Sequence, residues 1–230
     1  MQSFLTQIAR YSIEKYGDNL GDLTLLLPNR RAIVFLKEEF KKELNKASWL
    51  PQFFSLEDFI QQLGNYNTLD PTDLVFKLYK VYKQIEGSEA EPFEEFLGWG
   101  STLLQDFNEI DRYLVDAKEL YGFLTEAKAL ETWNVETNEL TEFQHKYLLF
   151  WNKLGEYYFK FREELMAEGA AYQGLGFRTV AENLLRKQEP EKKFKHLIFA
   201  GFNALTEAEK TILDYYAEEQ AAEVIWDADQ

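Results

Sequence analysis

Residues 196–210 read "HLIFAGFNALTEAEK", and the parsing of this stretch decides the fold. Leu197–Ala200 is a short apolar run closed by Gly201, the pattern of a buried strand. Thr206-x-x-Glu209 has the residues of a capping box and predicts a helix to about Glu219. Val224–Trp226 supplies another short strand. Strand, loop and capped helix in that order build an open α/β sheet, in which ligands are handled by the loop after the strand. Here that loop is Gly201, Phe202 and Asn203. It offers no nucleophile, no general base and no carboxylate for a metal.

The front of the chain repeats the pattern. Leu23–Leu27 ("LTLLL") is an apolar run stopped by Pro28, again a buried strand. Ile33, Leu36, Phe40 and Leu44 recur at helical spacing, predicting an amphipathic helix over 30–46. Gln52–Phe54 forms a second short strand, and Ser55-x-x-Asp58 caps a helix that stops near Gly64. Between the two α/β pieces the periodicity is helical. Asp70-Pro71 is a start signal, followed by a stripe of Leu74, Leu78, Tyr82 and Ile85. Further helices are predicted over roughly 92–110, in "VDAKELYGFL", and in "GLGFRTVAENLLRK". Another, capped by Thr141-x-x-Gln144, carries the stripe Phe143, Tyr147, Trp151, Leu154, Tyr158, Phe161 and Leu165 up to Gly169. The expected architecture is α/β: a parallel-sheet domain split into 1–65 and 190–230, interrupted by an all-helical insertion, 66–189. A strand so close to the last residue, with no helix to cover it, predicts a polypeptide that continues.

Composition narrows the function. The 230 residues are 46% hydrophobic, with 19 Phe, 13 Tyr and 5 Trp, enough for a sizeable core. Cysteine is absent, which excludes disulfides, thiolate metal sites and a cysteine nucleophile. No stretch reads as a signal peptide or a membrane span, so the expected setting is the cytoplasm, without a membrane partner. The net charge of −15 opposes a broad nucleic-acid surface. The acid is concentrated in 86–142, where fifteen Asp and Glu face only Arg112, Lys118 and Lys128. The stretch 30–46 is basic instead, with Arg30, Arg31, Lys37, Lys41, Lys42 and Lys46 against Glu38, Glu39 and Glu43. The plain reading of both is solvated helix faces.

Candidate chemistry is sparse. No G-x-x-x-x-G-K-[ST] phosphate loop occurs, and Gly174–Phe177 ("GLGF") reads as a turn between helices. His145 and His196 lie far apart and read as structural. Asp106, Glu109 and Asp111 read as an exposed helix face. Asp227 and Asp229 follow the last strand, where a site or merely a polar exit can lie. "PNRRA" is more suggestive, because a helix start directly after a strand, with Arg30 and Arg31, can hold a phosphate.

Taken in order, "LTLLLPNRRAIVFLKEEF", "PQFFSLEDFI", "LLQDFNEIDRYLVDAKELY", "GAAYQGLGFRTVAENL" and "HLIFAGFNALTEAEKTIL" with "AEVIWDAD" resemble the N-terminal part of AddB-type helicase–nucleases. These are large chains with a superfamily 1 helicase region, often degenerate, before a PD-(D/E)XK nuclease. The resemblance implies a RecA-like sheet domain with a helical insertion. It implies that Pro28, Asn29, Arg30 and Arg31, with Ser55 beside them, line a path for single-stranded DNA. It places Ala200, Gly201, Phe202 and Asn203 where active motors carry the Asp-Glu pair that holds magnesium and activates water. With both phosphate loop and acidic pair missing, neither ATP nor magnesium is expected here, and no residue of this chain is expected to be catalytic. The nuclease and its metal would lie beyond residue 230. The partners implied are single-stranded DNA, a partner helicase subunit or the protein's own C-terminal domains. Two other readings stay open: an acidic protein-interaction scaffold that binds no nucleic acid, and a nucleotide-dependent enzyme completed by residues beyond 230.

Overall fold

The structure, a computed structural model, describes residues 3–132, 142–188, 194–220 and 222–227, with side chains left undescribed over 126–148. The chain divides into two compact units, Met1–Asn65 with Thr179–Gln230, and Tyr66–Arg178.

The first unit is α/β. Its strands are β1 (Leu23–Leu27), β2 (Gln52–Ser55), β5 (His196–Ala200) and β6 (Glu223–Ile225), in the order β2-β1-β5-β6 and all parallel. β1 and β5 are central, with Leu23 opposite His196 and Leu26 opposite Phe199. Every residue of β1 is buried, which is why its sequence is an unbroken apolar run rather than an alternation. Leu23, Leu25 and Leu27, with Ile198 and Ala200, pack on Ile8 and Ala9 of α1 (Phe4–Tyr16) and on Leu36 and Phe40 of α2 (Arg30–Glu43). On the opposite face Phe199 meets Phe59 of α3 (Leu56–Gly64) and Tyr216 of α9 (Glu207–Glu219). The crossover from β1 to β2 uses α2, and that from β5 to β6 uses α9. They step in opposite directions along the sheet and lie on opposite faces, so both have the same hand, as parallel sheets require.

Two readings of this unit change. The helix expected over 30–46 ends at Glu43, where Leu44 turns extended (φ −78°, ψ 119°). And α1 was not anticipated, although its signals are ordinary: Ser3 accepts from the Thr6 N–H, Ile8, Ala9 and Ser12 form its buried side, and Gly17 ends it at φ +48°.

The second unit holds α4 (Pro71–Glu86), α5 (Phe93–Arg112), α6 (Ala117–Thr132), α7 (Glu142–Ala167) and the start of α8 (Gln173–Leu185). Asp70 caps α4, accepting from the N–H groups of Thr72 and Asp73 at 2.8 and 3.1 Å. The core joins Leu74, Leu78 and Tyr82 to Phe96 and Phe107 of α5 and to Leu154, Tyr158, Phe161 and Leu165 of α7. Thr141 lies outside the described residues, as do the side chains of Phe143, Gln144, His145 and Tyr147.

This unit also differs from the sequence reading. It is not all helical: Asn67–Thr68 (β3) and Ala170–Ala171 (β4) form a short parallel ladder. Gly174–Phe177 is no turn but the first part of α8. Its glycines are there for close approach: a Cβ on Gly174 would stand 2.3 Å from the Asn108 carbonyl oxygen, and one on Gly176 2.1 Å from Cζ of Tyr66. Finally, Asp106 and Glu109 are exposed as expected, but Asp111 is fully buried. Helical spacing puts it one turn beyond Phe107, on the core side of α5. There it accepts hydrogen bonds from the hydroxyls of Tyr158 and Tyr172 and pairs with Arg178 at 3.3 Å and Arg162 at 3.7 Å. Among the described residues no helix is long and apolar enough to cross a membrane.

Candidate functional site

Strand order locates the crevice. The connection from β1 leads to β2 on one side, and that from β5 leads to β6 on the other. The switch therefore falls between β1 and β5, and the loops leaving their carboxyl ends, Pro28–Asn29 and Gly201–Thr206, emerge side by side. Both stretches singled out in the sequence meet here, although 172 residues separate Asn29 from Gly201.

On the β1 side the backbone is prepared by Asn29, whose side chain accepts from the Ala32 N–H at 2.9 Å and so caps α2. Pro28, Asn29, Arg30 and Arg31 are all exposed. Arg30 is not free: its guanidinium forks onto Asp58, Nε to Oδ2 at 3.1 Å and Nη2 to Oδ1 at 2.5 Å. This pair ties the loop after β1 to the first turn of α3. The Arg30 fork holds the Asp58 carboxyl below its ordinary value, outweighing the upward push from burial, and the Ser55 hydroxyl adds a smaller pull in the same direction. Ser55 is buried, and its hydroxyl is engaged twice, donating to Asp58 Oδ2 at 2.7 Å and accepting from the Asp58 N–H at 3.2 Å. Ser55 is thus placed beside the crevice as an N-cap. Arg31 differs from Arg30: it has no carboxylate partner among the described residues, and its guanidinium lies over the Phe35 ring at 5.7 Å.

The β5 side is packed. Ala200 is wholly buried in the core between sheet, α1 and α2. Gly201 has φ +76°, and its N–H donates to the Ile225 carbonyl at 2.9 Å, closing the loop onto β6. A Cβ at this position would meet Cε1 of Phe4 at 3.0 Å. Phe202 is buried against Phe199, Gly201 and Leu205 are half-buried, and Asn203 and Ala204 are exposed. A carboxylate at 200 would be buried without a partner, and one at 201 would need both a left-handed backbone and a displaced Phe4 ring. Asp227 is exposed beyond β6, and Asp229 lies outside the described residues. His196 is held against the Tyr16 ring, centroids 5.0 Å apart, away from this crevice at the other end of β5. Among the described residues no three His, Asp or Glu side chains group as metal ligands do.

The crevice therefore presents a helix start, one free guanidinium, one bridged guanidinium and a polar amide, beside a hydrophobic plug. That set can hold an anion. Sequence reasoning reached Arg30 and Arg31 but missed Asp58 as the partner of Arg30, since Ser55-x-x-Asp58 already had an adequate explanation as a cap. It missed Phe35 too, because an aromatic inside an amphipathic pattern is read first as core. Neither a family model nor a curated protein matches the chain.

Proposed function

We propose that this chain is an ATPase-degenerate, helicase-like module of a DNA-repair helicase–nuclease, serving to hold single-stranded DNA or to dock a partner subunit. The parallel sheet interrupted by a separate helical unit is what the first RecA-like domain of such motors would require. The observation that carries the reading is the pairing of opposites at the switch point. The β5 loop carries no charged side chain, and Phe4 stands where a side chain at Gly201 would go, while the β1 loop beside it keeps Arg31 open. A working nucleotide site needs charge on both sides, whereas a scaffold that grips a backbone needs it only on the second.

The test is binding of a fluorescein-labelled oligothymidylate to the 230-residue chain as salt is varied. Each phosphate contact contributes about 0.7 to the slope of log K against log salt for single strands. Arg31→Ala is expected to weaken binding and reduce that slope by about 0.7. Absence of binding even at low salt removes the DNA-holding role and leaves subunit docking, which the acid-rich helical unit favours. ATP hydrolysis by the chain, lost on replacing Asn203, overturns the reading as a whole.

A further inference from the structure

We infer that the outward face of α2 is a base-stacking surface for single-stranded DNA, with Phe35 as the stacking ring and Arg31 as the phosphate contact beside it. This rests on the DNA-holding reading above and assigns it to particular side chains.

Three observations converge on α2. The first is pairing. Arg30 is committed to Asp58, Lys41 to Glu38 and Lys42 to Glu39. Arg31 and Lys37 have no ion-pair partner among the described residues; each lies over an aromatic ring, Phe35 at 5.7 Å and Phe53 at 5.3 Å. The second is exposure. Val34 is 61% exposed and Phe35 52%, on a helix whose opposite side buries Leu36 and Phe40 completely. Full burial of a Phe stabilises by about 1.5–3 kcal/mol, so a ring held in water forgoes much of that. The third is geometry. Arg31 and Phe35 are four residues apart, on one stripe about 6 Å long, directly after the crevice at the end of β1.

The charge and size of the face select the occupant. α2 is basic in a chain of net charge −15, which suits a polyanion. Its exposed apolar part is two side chains, small for a protein interface, which buries about 800 Å² per partner. A ring beside an unpaired guanidinium is what sequence-tolerant single-strand binding uses: every base has a face to stack, and every nucleotide a phosphate to neutralise.

The experiment is fluorescence anisotropy of the 230-residue chain with labelled oligothymidylate over a salt series, with Phe35→Ala, Phe35→Trp and Arg31→Ala. Loss of one stacked base costs about 1–3 kcal/mol, so Phe35→Ala is expected to weaken binding roughly 5- to 150-fold at about 1.4 kcal/mol per tenfold. Its salt slope stays that of the wild type. Phe35→Trp keeps the affinity, and Arg31→Ala lowers the slope. Circular dichroism checks that each variant is folded, as a half-exposed position allows. Wild-type affinity in Phe35→Ala overturns the inference alone and leaves the ring to a protein partner. No binding by the wild type overturns it together with the DNA-holding reading.

Discussion

Replacing Asp111 tests how the helical unit is held together. This carboxylate is fully buried and gathers four side chains: the hydroxyls of Tyr158 and Tyr172, and the guanidinium groups of Arg178 and Arg162. Asp111→Ala removes the acceptor for both tyrosines. Tyr158 still accepts from Arg162 at 2.8 Å, but its own O–H, like that of Tyr172, loses its acceptor; both hydroxyls are buried, and an unsatisfied donor of this kind costs about 1–3 kcal/mol. Arg178 keeps the carbonyls of Ile110 and Val115 at 3.3 and 2.9 Å, so it stays hydrogen-bonded but loses the Asp111 carboxylate. Breaking one side of a buried ion pair costs about 3–5 kcal/mol. That range already contains the unsatisfied donors, so the expected loss for Asp111→Ala is about 3–5 kcal/mol. Asp111→Asn keeps one acceptor and the volume, and is expected to cost less, about 1–3 kcal/mol. Urea unfolding monitored by circular dichroism and by tryptophan fluorescence, to which Trp99 and Trp151 contribute from this unit, gives both values. Glu109→Gln, two residues away with exposed 3.3 Å contacts to Arg112 and Asn108, is the control and is expected to cost under about 1 kcal/mol. An Asp111→Ala protein within about 1 kcal/mol of wild type refutes the account, and so does one no less stable than Glu109→Gln.

Further outcomes follow from the same packing. Gly174→Ala is expected to destabilise more than Gly176→Ala in urea melts, because the first drives a methyl onto the Asn108 backbone carbonyl and the second onto the end of the Tyr66 ring, which can swing; overpacking of this kind costs about 1–3 kcal/mol. The hydroxyls of Tyr121, Tyr157, Tyr158, Tyr172 and Tyr216 are all held above the ordinary phenol value, first by burial and, for Tyr157, Tyr158 and Tyr172, also by the adjacent Glu86 or Asp111. Each binds its proton more tightly folded than unfolded, so its contribution is complete below about pH 10 and is lost as pH rises beyond it. Unfolding free energy should therefore fall as pH rises above about 10, with the tyrosinate absorbance of these five appearing only as the fold is lost; early absorbance from all five would contradict this. At Glu223, burial pushes the carboxyl up, but the bonds from Lys15, Tyr11 and Tyr16 outweigh it and leave the carboxyl below its ordinary value. Its contribution is present above the unfolded value and lost as pH falls, so Glu223→Gln should reduce the acid sensitivity of unfolding; an unchanged profile would deny the cluster that role.

The centre of the sheet was legible because β1 and β5 are buried on both sides. "LTLLL" and "LIFA" carry that burial as unbroken apolar runs, each followed by a cap or helix start that periodicity also reports. Ser55, Asp70 and Thr206 announce their helices by local chemistry alone, and all three stand as N-caps. What stayed hidden depends on distant partners. Asp111 looks like any surface acid until Tyr158, Tyr172 and Arg178, between 47 and 67 residues away, close around it. The glycines of "GLGF" look like a turn until Asn108 and Tyr66 occupy the room a side chain would need. At the candidate site the residue types were visible but their states were not. Nothing in "NRRA" says that one arginine is bridged and the next is not, since that depends on Asp58 arriving on another helix.

The difference between neighbouring arginines has a counterpart in the two loops of the crevice. A nucleotide site depends on charged groups converging from the ends of two adjacent strands. After β5 the structure packs instead: Ala200 joins the core, Gly201 bonds to β6, and Phe202 goes inward. Asp at 200 would be buried unpaired, and Asp at 201 would need a left-handed backbone and a shifted Phe4 ring. The β1 side is not packed in this way. Its bridge, Arg30 to Asp58, lies largely in solvent, with the Arg30 side chain 74% exposed, and ion pairs so placed contribute about 0–1 kcal/mol. An incoming phosphate therefore competes with Asp58 for Arg30 at little cost, while Arg31 and Phe35 are already open. The loop after β5 is thus held by the core, whereas Arg30, Arg31 and Phe35 are surface groups that the core does not restrain.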